Sequence, residues 1–209
     1  MKCKETAYVG IEITSGPRPL IYAVLDPDLN VKVLERYSVS KVMRHLQSNE
    51  NVMLAINVSF RNSAASNGNG HKVFNTVEKE IAQTGFKPYL SNHACRQWVE
   101  TYPLECFGAL TEQTLLPRRS IRGRVQRAAI LYEHGMQINN PGKDHLNTDA
   151  TRATLYTPSE LDALIAAGIA WMLVNRPVKI DLTRKPNQQM ISIPREDRDW
   201  WRKKPVLQE

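Results

Sequence analysis

The chain has 209 residues and a formal net charge of +7, from 28 Lys and Arg against 21 Asp and Glu. That length suits one well-buried domain, and no apolar run is long enough to span a bilayer. Its three cysteines, Cys3, Cys95 and Cys106, are odd in number and show no C-x-x-C spacing, so neither a disulfide framework nor a zinc knuckle is supported. A charged opening from Met1 to Glu5 and this composition predict a soluble, cytoplasmic protein, and the basic excess suits a polyanionic partner.

Tyr8 to Ile13, Leu20 to Leu25 and Asn30 to Leu34 read as three short strands. Gly16-Pro17 and Asp26-Pro27-Asp28 separate them by turns short enough to make antiparallel neighbours. Ser40 opens a helix with Val39, Val42, Met43 and Leu46 at helical spacing, and Val52 to Phe60 follows as an apolar strand. Right-handed crossover predicts that this fourth strand docks parallel to the first, away from the hairpin. Arg61 to His71 reads as a loop, Val73, Val77 and Ile81 as a helix ending near Gly85, and Arg96 to Tyr102 as a fifth strand.

Leu104 to Leu115 reads as helical. Ser120 to His134 gives another helix, with Ile121, Val125, Ala128, Ala129 and Tyr132 inward and Gly135 as its stop. Asn139 to Ala153 is an unpatterned loop. Thr157-Pro158-Ser159-Glu160 is a capping box with proline at the first helical position, opening a helix apolar nearly all round to Val174. Met190 to Ile193 reads as a last strand, so residues 1–194 form one domain and 195–209 a charged tail.

Polar side chains that interrupt these buried elements are the candidate site. Glu12 interrupts the first strand, Asn57 the fourth, Glu100 lies on the fifth, and Asp162 is the one charge between Leu161 and Val174. Buried carboxylates need partners, and an ordinary ion pair, such as Glu100 with Arg96, serves any one of them. Carboxylates converging from separate strands and a helix instead suit Mg²⁺ or Mn²⁺, and a pair of such ions hydrolyses phosphodiesters. Gly10 shares the pleat face of Glu12 and leaves room for a ligand to approach. Arg118, Arg119, Arg122, Arg124 and Arg127 form a basic cluster suited to a phosphate backbone, or a solvated helix face.

The chain resembles the predicted RNase H-like nucleases, a family long catalogued as a domain of unknown function, in its bacterial subgroup with an E-T-Y-P motif. Val9-Gly10-Ile11-Glu12, Ala55-Ile56-Asn57-Val58 and Glu100-Thr101-Tyr102-Pro103 carry the resemblance. Arg124-Val125-Gln126-Arg127, Tyr156 to Leu164 and Ile191-Ser192-Ile193-Pro194 continue it in the same order. It implies an α/β, RNase H-like mixed sheet of five strands, with strands 1–3 an antiparallel meander, strands 4 and 5 parallel to strand 1, and helices on both faces. It further implies a metal-dependent nuclease in which Glu12, Asn57, Glu100 and Asp162 hold Mg²⁺ or Mn²⁺, acting on nucleic acid as a monomer or homodimer. Glu12 replaces the family's usual Asp, and Asn57 offers an amide oxygen without charge. Those two departures support the alternative, an RNase H-like protein that binds nucleic acid or a partner without catalysis.

Three further patterns carry less. His93, Cys95 and Cys106 give an incomplete soft-metal set, and Ser66 to Gly70 lacks the lysine of a phosphate loop. Trp200-Trp201 suits stacking on bases or anchoring of the tail.

Overall fold

A computed structural model describes residues 6–58, 69–89, 95–138, 155–175, 181–185 and 188–192. β1 (Ala7–Ile13), β2 (Leu20–Leu25) and β3 (Val31–Tyr37) form the antiparallel meander. Asp26 fixes the β2–β3 turn, its Oδ1 accepting from the backbone N–H groups of Asp28 and Asn30, both at 2.9 Å. α1 (Val39–Gln47) starts at Ser38, whose hydroxyl accepts from the Lys41 N–H, and leads to β4 (Val52–Asn57), which pairs parallel with β1. The crossover thus has the predicted placement. α2 (Asn69–Gln83) begins within the segment read as a loop and stops before Gly85, whose φ of 83° suits glycine.

The sheet has six strands rather than five, in the order β3-β2-β1-β4-β6-β5. β6 (Gln97–Thr101) is the predicted fifth strand; β5 (Lys87–Pro88) is a two-residue parallel edge too short to leave a periodic signal. β7 (Asp181–Lys185) and β8 (Gln188–Ser192) make a separate antiparallel pair. The expected loop over 139–153 and the tail from 195 lie outside the described residues, as do His93, Ser66 to Gly68 of the glycine-rich loop and Trp200-Trp201.

Helices cover both faces. α1 and α2 pack with Ile11, Leu54 and Ile56 on one side; α3 (Pro103–Leu110), α4 (Ile121–Glu133) and α5 (Pro158–Asn175) occupy the other, with Tyr8, Ala23, Ala55 and Val99. α5 is the central helix. Leu161, Leu164, Ile165, Ile169 and Leu173 are all buried on it, and each fully buried side chain of this size contributes about 1.5–3 kcal/mol. The capping box forms: the Thr157 N–H donates to Glu160 Oε2 at 2.6 Å and the Glu160 N–H to Thr157 Oγ1 at 3.2 Å. Among the described residues no helix is long and apolar enough to cross a membrane.

Two helices differ from their sequence reading. α3 ends at Leu110, because Thr111 is extended and its hydroxyl accepts from the Gln113 N–H at 3.1 Å, turning the chain. On α4 the buried residues are Gly123, Arg127, Ala128, Ile130 and Leu131, whereas Ile121 is exposed. Ala128 is inward as expected and Tyr132 packs against the core, so the departures are the exposed Ile121 and the buried Arg127. Arg127 is accepted there because its Nη1 donates to the carbonyls of Leu116 (3.0 Å) and Gly123 (2.9 Å), with Phe107 beneath its guanidinium.

Candidate functional site

Parallel pairing sets Glu12 opposite Asn57, and Asn57 opposite Thr101, at the carboxyl ends of β1, β4 and β6. Alternation along each strand places these three on the same face as Gly10, Ala55 and Val99, the face that α5 covers. A Cβ at Gly10 would collide with the α5 backbone at Ala163 O and Ala167 N. The room read as space for a ligand is therefore the seat of α5, and that close approach brings Asp162 over the strand ends.

Asn57 Nδ2 donates a short hydrogen bond to Glu12 Oε2. Arg118, from the segment between α3 and α4, donates through Nε to Asp162 Oδ2 at 2.8 Å and through Nη2 to the same oxygen. That Nη2 also lies 3.4 Å from Glu12 Oε1. Glu12 and Asp162 are 6% and 4% exposed, so both carboxylates are largely removed from water. Burial, joined by the charge of Asp162, pushes the Glu12 carboxyl up to about 8 despite Arg118 and Asn57. Burial also raises Asp162, against the pull of Arg118 and Arg127.

Glu100 is not brought to this cluster. Its register partner is Ile56, which puts it on the opposite face, with the side chains that α1 and α2 cover. Among the described residues no three His, Cys, Asp or Glu side chains are grouped to hold a metal. Cys95 is exposed while Cys106 is buried on α3, its thiol pushed up to about 12 by burial. Such a thiol is protonated and unsuited to ligation at neutral pH.

The arginine cluster divides. Arg118 reaches the carboxylates, Arg124 holds the carbonyls of Leu155 and Tyr156 at the entry to α5, and Arg127 is buried. Arg119 and Arg122 are the two that are exposed to solvent. Thr101 is the residue that sequence reasoning passed over: its Oγ1, buried on the α5 face beside Asn57, has no hydrogen-bond partner among the described residues. An orphaned, buried hydroxyl in register beside the Asn57 amide marks a place for a bound water.

These donors suit one small dication, which takes one or two carboxylates and keeps several waters. Glu12 and Asp162 are the two carboxylates that would hold such an ion, with the Asn57 amide bonded to Glu12. A second ion would need more carboxylates than the described residues of this face provide. No protein-family model matches the chain, and no curated protein matches it.

Proposed function

We propose that the chain is an RNase H-like protein acting on nucleic acid, with Glu12, Asn57 and Asp162 forming a single-ion site for phosphodiester hydrolysis. One observation carries this reading: two buried carboxylates, from a central strand and the central helix, meet at the strand ends with one guanidinium between them. A dication bound there would supply charge stabilisation to a phosphodiester and lower the pKa of an attacking water. Asp162 and Glu12 would hold it, and Asn57 keeps Glu12 oriented through its amide N–H. Arg119 and Arg122 lie on the exposed side of the same chain segment and would attract the phosphate backbone.

A second reading has its own support. Arg118 already sits on both carboxylates, and Asn57 adds no charge, which together describe a scaffold that binds nucleic acid without cutting it. Cleavage of single-stranded, duplex, hybrid and branched substrates in Mn²⁺ decides between them. The nuclease reading predicts cleavage that falls at least about 100-fold in Asp162→Ala. Cleavage that survives Asp162→Ala overturns the site, whereas salt-sensitive binding without cleavage establishes the second reading.

A further inference from the structure

The backbone that presents Arg118 is held in place by bonds from α4 and its N-cap residue. Gln126 on α4 clasps the segment from both sides, accepting from the Leu116 N–H at 2.8 Å and donating to Thr114 O at 3.0 Å. Arg127 holds Leu116 O, and Ser120 returns its hydroxyl to Pro117 O at 2.8 Å. Gly123 lets the Pro117 carbonyl come so close to α4 that any Cβ would strike it. Arg118 itself, one residue past this clasp, keeps 38% of its side chain exposed. A fixed base with a partly exposed arm lets the guanidinium leave the carboxylates without moving a helix.

We propose that Arg118 and a divalent cation exclude one another at the Glu12–Asp162 pair, so that Arg118 sets how tightly this site takes metal. Asp162 Oδ2 accepts two guanidinium donors, and Glu12 Oε1 faces the same Nη2. An ion coordinated by these oxygens needs the volume that Nη2 occupies, and the two positive charges repel at that distance. Arg118 is thus a positioning residue: it keeps the buried carboxylates compensated while no ion is present and yields when one arrives. The inference rests on the single-ion reading of this site, and its test separates the two.

Mn²⁺ affinity is measured calorimetrically on the full chain for wild type, Arg118→Gln and Arg118→Lys, with folding checked by circular dichroism. Arg118→Gln is expected to bind one Mn²⁺ roughly 10- to 100-fold more tightly than wild type, as removal of a charge in direct contact requires, with Arg118→Lys between them. A role confined to holding the loop would weaken binding in both variants. Wild type binding Mn²⁺ with Arg118→Gln no tighter leaves the metal site standing and overturns the exclusion. Mn²⁺ binding by Arg118→Gln alone supports the exclusion while removing metal from the native function. Binding by none of the three overturns both.

Discussion

Gly10→Ala is expected to destabilise the protein by about 3 kcal/mol or more, lowering Tm by roughly 10 °C in a chain of this size. The added methyl has no flexible neighbour to displace, since it meets the Ala163 carbonyl oxygen and the Ala167 N–H of α5. Either α5 lifts off β1 or the strand bends. The same movement carries Asp162 away from Glu12, so dication binding should weaken together with stability. A thermal melt of Gly10→Ala within about 2–3 °C of wild type would mean that α5 does not sit this close to β1, and the placement of Asp162 over the strand ends would fail with it.

The second large effect is on pH. In the unfolded chain Glu12 loses its proton near 4.5, whereas in the folded protein burial and the charge of Asp162 hold it to about 8. Between these values the folded state binds the extra proton, so the contribution is fully present below pH 4.5 and is lost as pH rises through 8. The fall amounts to roughly 2–5 kcal/mol, and the raised Asp162 adds in the same direction. Glu12→Gln removes the titrating group and keeps an acceptor for the Asn57 N–H. Thermal melts from about pH 4.5 to about pH 8.5 should show wild type losing stability toward the alkaline end, with Glu12→Gln flatter and the more stable of the two at about pH 8. Parallel profiles for the two proteins would contradict the burial of an ionisable Glu12.

Sequence disclosed the parts of this architecture that local chemistry determines. The Thr157 to Glu160 capping box, the Asp26 turn and the Gly85 stop each act within a few residues, and all three form. Crossover handedness placed β4 beside β1, which sets Glu12 against Asn57. What escaped depends on pairing between distant segments. Whether Glu100 or Thr101 joins Asn57 is decided by one residue of alignment between β4 and β6, and nothing near either strand encodes it. Likewise the five arginines from Arg118 to Arg127 look equivalent on a line. Only the fold sends Arg118 from its loop to Asp162, and Arg124 and Arg127 from α4 to the carbonyls beside α5 and to Leu116 O. Gly10 was visible as a close-approach position, but its occupant, a helix far along the chain, was not.

The most direct measurement is anomalous diffraction from crystals soaked in Mn²⁺. The single-ion account predicts one peak between the carboxylates of Glu12 and Asp162, with the Arg118 guanidinium displaced toward solvent. No peak at that position in fully soaked crystals, or a peak on the opposite face beside Glu100, would contradict it.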